Sequence, residues 1–319
     1  MSSPLVSIIT PVYQGGRFLA ETMLSVSRQT YTDWEHVIVD DASSDDSFRI
    51  ASEQGIPGKT RTIRHDTNRG IAASRNTGLE AAAGRYVALL DQDDLWTPFK
   101  LSEQVRLLEE SAPVGSPPAA ICFGRHAFFS RRGERVLISP ARYPVHAAGT
   151  TLLSGVGGPG LSLFMENFIG AGSVLASRDL LLSAGGFDET LRGGGDDYDL
   201  WLRLSERTGF IMLDRTVLLS RMHAANYTDT MRMTGDVLRI LESFEKRHQV
   251  PAGVAAARYG SIHYKRFIAL LDSGRYAEAR EELHLAGSRG AGALKRAAVR
   301  ALTSLGPGGA KLFFSLKKY

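Results

Sequence analysis

Five consecutive apolar residues, Tyr86-Val87-Ala88-Leu89-Leu90, run directly into Asp91-Gln92-Asp93-Asp94. Such a run suits a buried strand at the centre of a sheet. Its end sets carboxylates at the strand's C-terminal edge, and Asp91 and Asp93, two positions apart, point the same way. Concentrated negative charge there needs a cation or a network of donors. A divalent ion carrying phosphate oxygens meets that need, because Mg2+ and Mn2+ take one or two carboxylates together with substrate phosphates and water. The competing reading is a helix cap, with Asp94 preceding Leu95-Trp96-Thr97-Pro98 and a helix beyond.

The rest of the chain sets bounds. At 319 residues it can bury one large core, or one core with a small appendage. Its longest apolar runs are too short for a membrane-spanning helix. Met1-Ser2-Ser3-Pro4 leads straight into a strand pattern without a charged and then apolar leader, so a cytoplasmic location is expected. Cys122 is the one cysteine; it lies in an apolar run and reads as a small buried hydrophobe. The net charge of +4 is unevenly placed. Beyond Gly287 no acidic residue occurs, while Arg289, Lys295, Arg296, Arg300, Lys311, Lys317 and Lys318 alternate with Ala, Leu and Phe. That basic tail could lie on an anionic membrane or pack on the body by its apolar side. No aromatic stacking platform accompanies the charge, so nucleic acid is not an expected partner.

Strand and helix signals alternate through the first part, as in a doubly wound α/β sheet. Strands are expected at 5–10, 34–39, 61–64 and 86–90, with helices at 17–29, up to about 54, 71–83 and about 98–110. The middle is less regular. A strand at 119–123 follows a surface loop over 111–118, a hairpin turns at Arg132-Gly133, and the glycine-rich 142–161 reads as a mobile loop. A strand at 168–176, helices at 178–184 and 199–208, and strands at 210–213 and 217–219 complete the sheet. From about Met231 the pattern is helical, with a helical hairpin over 269–279.

Acidic groups recur at expected strand ends. Asp40-Asp41 follow the second strand and could accept N–H donors from a nucleobase or cap the next helix. Arg69 and Arg75, with Asn68 and Asn76, bring donors to the same edge, where they could meet a diphosphate or the carboxylates themselves. Asp196-Asp197 follow three glycines and precede a buried helix carrying Trp201, a placement that suits a general base or an N-cap. His223, just after the last strand, could join the carboxylates on a metal or be structural. No dinucleotide fingerprint, Walker loop, nucleophile elbow or zinc-spaced cysteine set occurs.

Taken in order, these segments resemble the inverting nucleotide-sugar glycosyltransferases of family 2, which have the GT-A fold. The resemblance runs from Val6 to His223. It rests on Val6-Ser7-Ile8-Ile9-Thr10-Pro11-Val12-Tyr13, Ser25 to Glu35, Val39-Asp40-Asp41-Ala42-Ser43-Ser44-Asp45, Asn68-Arg69-Gly70 through Gly78, Asp91-Gln92-Asp93-Asp94, Gly185-Gly186-Phe187-Asp188-Glu189, and Asp196 to Arg203. Gln14 stands where the family usually has Asn, Ala42 where Gly is common, and Asp196 where Glu is usual. The resemblance implies a mostly parallel, doubly wound sheet flanked by helices, with a catalytic domain over 1–230 and a helical basic region over 231–319. Residues 1–110 would form its nucleotide half and 111–230 its acceptor half. It further implies a nucleotide site of Pro11, Tyr13, Asp41, Arg69, Arg75 and Asp91, in which Asp41 accepts a base N–H. Asp93 would hold Mn2+ or Mg2+ on the diphosphate, with His223 as a further candidate ligand. Asp197 would be the base, with Asp196 and Trp201 on the acceptor side. The implied partners are a nucleotide-sugar donor and a glycan or lipid-linked acceptor, with peripheral membrane contact through the tail. A nucleotidyltransferase and an inactive nucleotide-sugar-binding scaffold are the rival readings.

Overall fold

The computed structural model describes residues 4–111, 120–132, 135–140, 151–153, 158–223 and 230–288. The basic tail, most of the 111–118 loop, the hairpin turn at Gly133 and the 141–150 and 154–157 parts of the glycine-rich segment lie outside the described residues. Contacts divide the chain into two units. The first comprises Met1–Leu163, Asn167–Arg192 and Asp196–Tyr227, and the second Phe164–Glu166, Gly193–Gly195 and Thr228–Tyr319.

The first unit opens with β1 (Val6–Val12), α1 (Leu19–Ser27), β2 (Trp34–Asp40), α2 (Ser47–Glu53), β3 (Thr60–Arg64), α3 (Ile71–Ala81) and β4 (Tyr86–Leu89). These four strands pair in parallel in the order β3-β2-β1-β4. Every residue of β1 and β4 is buried, which accounts for their continuous apolar runs. Pro11 is tolerated in β1 because its missing N–H falls on the β4 side, and β4 pairing has already ended at Ile9↔Leu89. On α3, Gly78 is required by close packing: a Cβ there would lie 2.4 Å from Ile9 Cγ2 of β1.

The chain continues through β5 (Leu95–Trp96), α4 (Lys100–Glu110), β6 (Ile121–Arg132), β7 (Arg135–Pro140), β8 (Thr151–Leu153), α5 (Gly158–Met165), β9 (Val174–Ser177), α6 (Arg178–Ser183), α7 (Asp196–Ser205) and β10 (Phe210–Arg221). The sheet extends as β4-β9-β6-β10-β5, with β7 on β6 and β8 on β10. This half is mixed: β6 and β10 are parallel, whereas β9, β7, β8 and β5 pair antiparallel. The expected mostly parallel sheet is thus wholly parallel in its N-terminal half and mixed beyond β4.

Several local expectations change. The helix after Asp94 runs over Lys100–Glu110, close to the expected range, but Leu95 and Trp96 before it form an unexpected strand, β5, and pair with Leu219 and Leu218 of β10. Residues 171–173 form a 3-10 turn, held by Ser173 donating its N–H and Oγ–H to Gly170 O, so β9 is shorter than the strand expected from Phe168. Within the glycine-rich segment, 151–153 add a strand and 158–160 begin a helix. The strands expected at 210–213 and 217–219 are one strand with register shifts between Leu213, Thr216 and Leu218.

The second unit contains α8 (Thr230–Arg247), α9 (Ala252–Asp272) and α10 (Tyr276–Ser288). The expected helical hairpin is α9 and α10, turned at Gly274 with φ of 75°. The two helices pack through Phe267, Leu270, Ala279 and Leu283. Among the described residues no helix is long and apolar enough to cross a membrane.

Candidate active site

The candidate residues lie in the first unit and gather around the C-terminal ends of β1, β2 and β4, where open α/β sheets bind ligands. Asp41 follows β2 and is 2% exposed. Its Oδ1 accepts the Arg69 backbone N–H at 2.8 Å and faces His65 Nδ1 at 2.7 Å, and its Oδ2 accepts the Gly70 N–H at 2.7 Å. Gly70 adopts φ of 95° at the start of α3, a conformation that favours glycine. Asp40 turns away to Arg64, whose Nε lies 3.2 Å from Asp40 Oδ2.

The loop after β1 carries exposed Tyr13 beside buried Pro11. Gln92 Oε1 accepts the Tyr13 N–H at 2.8 Å, and Gln92 Nε2 donates to Tyr13 O at 3.0 Å. One side chain of the acidic turn therefore fixes the backbone of the aromatic loop. The amides of Gly15 and Gly16 are taken as well, by Ser47 Oγ at 2.8 Å and Asp45 Oδ2 at 2.9 Å.

The four residues of the acidic turn point to different partners. Asp91 accepts from Arg75 Nη2 at 2.8 Å. Asp93 Oδ2 lies 2.9 Å from His223 Nε2, so the structure brings these two residues together. Asp94 is buried and caps no helix. It accepts the Arg221 N–H at 2.9 Å and the Ser220 hydroxyl at 3.2 Å, which ties the turn to β10. Burial, with Asp91 and Asp93 alongside, holds the Asp94 carboxyl well above the usual carboxylate range. Arg221 backs the turn, donating from Nε to Asp93 O at 2.9 Å while its guanidinium lies against Phe18 and Phe129. Phe18 in turn packs on the His223 ring, 4.6 Å between centroids.

Arg75 joins the two sides of the site. Its side chain is 3% exposed; Nη1 donates to Asp196 Oδ2 at 2.7 Å, while Nη2 holds Asp91. Asn76, the next residue of α3, grips the backbone of Phe187: Nδ2 donates to Phe187 O at 2.9 Å and Oδ1 accepts Phe187 N–H at 2.8 Å. Arg75 therefore bridges two carboxylates, while Asn76 holds the Phe187 backbone and also donates from Nδ2 to Glu189 Oε1 at 3.0 Å. Arg69 is half exposed, 3.6 Å from Glu189.

Asp196 and Asp197 form the first turn of α7, where the helix dipole favours negative charge. Burial and then the neighbouring Asp196, partly offset by Arg75, push the Asp197 carboxyl up to about 7. Trp201 has no exposed surface. It anchors α7 in the core, so any part it has on an acceptor side is through the helix rather than by contact.

Among the described residues no cluster of three or more His, Cys, Asp or Glu could hold a metal by itself. Asp93 offers one hard oxygen that suits Mn2+ or Mg2+ when a ligand's phosphates and water complete the shell. The His223 nitrogen beside it suits Mn2+ and not the oxygen-seeking Mg2+. His65, the Gln92 clamp and Arg221 escaped the sequence reading. Their partners lie 24, 79 and 128 residues away, and no spacing marks them.

The profile described as Glycosyl transferase family 2 matches residues 7–160. The putative glycosyltransferase EpsE of Bacillus subtilis (strain 168) is 33% identical over 209 residues, which cover 64% of this chain and 68% of EpsE. Among solved structures, S. aureus TarS 1-349 in complex with UDP-GlcNAc superposes with a TM-score of 0.64 at 15% identity, covering 88% of this chain and 81% of that one. The mannosyltransferase PcManGT from Pyrobaculum calidifontis, in complex with GDP-Man and Mn2+, superposes with a TM-score of 0.59 at 16% identity, covering 100% and 85%. The fold is of the GT-A type shared with these two proteins.

Proposed function

Because the chain belongs to glycosyltransferase family 2, we propose that it transfers a sugar from a nucleoside-diphosphate sugar, foremost a UDP-sugar, to an acceptor hydroxyl. The acceptor is a saccharide or a lipid-linked glycan, and transfer inverts the anomeric centre. The observation that carries this reading is Arg75, one buried cation held between Asp91 at the donor strand end and Asp196 beside Asp197. A base poised near neutrality thus sits one residue from a fixed link to the donor side.

In this reading Asp41 accepts the base N–H, with Pro11 and Tyr13 flanking the ring. Asp91 sits by the ribose, oriented by Arg75, and Arg69 lies at the rim. Asp93 holds Mn2+ or Mg2+, which supplies charge neutralisation for the diphosphate, and His223 is a further ligand to Mn2+. PcManGT, with its Mn2+, supports that choice of ion. Asp197 takes the proton of the acceptor hydroxyl. The acceptor oxygen bonds to the anomeric carbon, and the bond from that carbon to the diphosphate oxygen breaks with its electron pair going to the leaving group. A single displacement from the opposite face inverts the centre. Against the nucleotidyltransferase rival, the Gly15 and Gly16 amides that a phosphate-binding loop would offer are already engaged by Ser47 and Asp45.

The test is Asp197→Asn. Transfer from a UDP-sugar should fall by about a thousandfold or more, while UDP binding with Mn2+, measured by calorimetry, changes little. Retained turnover with lost UDP affinity would refute the assignment. In the wild-type chain, kcat/KM should rise with pH through about 7, because the base acts once deprotonated.

A further inference from the structure

His65 closes the first unit's donor edge in a way the mechanism above does not use. It follows β3, is 8% exposed, and its ring is held at both ends. Nδ1 faces Asp41 Oδ1 at 2.7 Å and Nε2 faces Thr77 Oγ1 of α3 at 2.9 Å. The partners assign the protons. A carboxylate only accepts, so Nδ1 carries the hydrogen, and Nε2 accepts from the Thr77 hydroxyl.

A carboxylate has about four lone-pair sites. At Asp41 three are occupied: two on Oδ1, by the Arg69 N–H and His65 Nδ1–H, and one on Oδ2, by the Gly70 N–H. The two amides come from consecutive residues of one loop, so alone they leave the carboxylate free to rock about that edge. His65 comes from a different element and removes that freedom. One acceptor site remains, on Oδ2, at a fixed angle.

We propose that His65, braced by Thr77, is a positioning residue that makes Asp41 a selective acceptor for nucleobases presenting a ring N–H, uracil foremost, against bases presenting a bare ring nitrogen. This rests on the reading of Asp41 as the nucleobase acceptor. Uracil N3–H completes the fourth bond. Cytosine N3 sets a lone pair against a lone pair and leaves a buried acceptor unmet, which is how a polar site rejects an isostere.

The test measures UDP, CDP and GDP binding to the full chain by calorimetry with Mn2+. The wild-type chain prefers UDP. His65→Phe keeps a ring but no donor, and should lose about tenfold in UDP affinity and most of the UDP-over-CDP ratio. His65→Asn, whose amide N–H can take the place of Nδ1–H, should restore the ratio; a purely structural role would not separate these two variants. An unchanged ratio in folded His65→Phe, or an Asn variant as poor as Phe, overturns the proposal. Should His65→Phe fail to fold, Thr77→Val leaves the imidazole and removes its brace: the ratio should fall, and an unchanged ratio overturns the proposal. A wild-type chain that binds neither UDP nor CDP nor GDP overturns the nucleotide reading itself, and this inference with it.

Discussion

Gln14 and Ala42 adopt φ of 53° and 60°, the left-handed region that favours glycine and tolerates asparagine. They are the two positions where this chain departs from the Asn and Gly usual in its family. The departures therefore carry backbone strain in the loops after β1 and β2. Ala42→Gly should raise stability by about 1 kcal/mol, read as a higher urea midpoint; a lower midpoint would contradict the strain. Lys100 presents a different cost. It is fully buried, donates to Gln104 Oε1 at 2.7 Å and Val174 O at 3.1 Å, and burial pulls its ammonium down to about 7. Because the folded value lies below the unfolded one, the unfolded chain binds the extra proton between about pH 7 and 10. The stability penalty is therefore full below about 7 and fades as pH rises. Lys100→Met should stabilise the chain at pH 7 by more than at pH 9.5, by on the order of 1–3 kcal/mol; a difference independent of pH would sink this account. Asp197 has the opposite sign. Its raised carboxyl favours the folded state when protonated, and that contribution is lost as pH rises through about 7. Asp197→Asn should thus gain more in melting temperature at pH 8 than at pH 5.

The helix α3 shows how one element serves fold and site together. Its Gly78 face lies against β1, Asn76 holds the Phe187 backbone, and Arg75 bridges Asp91 and Asp196. The Ala-rich pattern marks this helix in the sequence, as continuous apolar runs mark β1 and β4. The helix ends at Ala81, however, and Gly84 packs against Ser7 of β1 instead of stopping it. Which face carried packing and which carried the clamp was not legible, because Ala, Ser and Gly leave little hydrophobic contrast. Gly78→Ala should cost about 2 kcal/mol, since the new Cβ overlaps Ile9 Cγ2. Ile9→Ala in the same chain should be less destabilising than the two single changes summed, in urea unfolding. Strict additivity would show that the two residues do not press on each other. At β5, two residues of antiparallel pairing stand between Asp94 and the helix, and Asp94 changed from a cap into a tie to β10. Tertiary pairing overrode a local capping signal there.

On the scale of the whole molecule, the sheet order brings together segments that the chain keeps far apart. Arg75 and Asp196 are separated by 121 residues, and Asp93 and His223 by 130, yet each pair is in hydrogen-bond contact. With two protein ligands among the described residues, the proposed metal site depends on its ligand's phosphates, so Mn2+ should bind weakly alone and more tightly with UDP. Asp93→Asn or His223→Ala should remove that cooperativity in calorimetry, and metal binding equally tight without UDP would argue against the site. The local part of this organisation was determined by the sequence itself: apolar runs that must be buried strands, and carboxylates at strand ends. These depend on neighbours a few residues away, where periodicity and turn chemistry act. Only the tertiary structure decided the mixed half of the sheet and which cation or imidazole answers which carboxylate, whereas the buried face of α7 with Trp201 was legible in its spacing. Such pairings follow from strand order and close packing between distant segments, which no local pattern encodes. The acidic turn after β4 was visible as a place where charge must be answered; that Arg75, His223 and β10 answer its three carboxylates separately is a property of the fold.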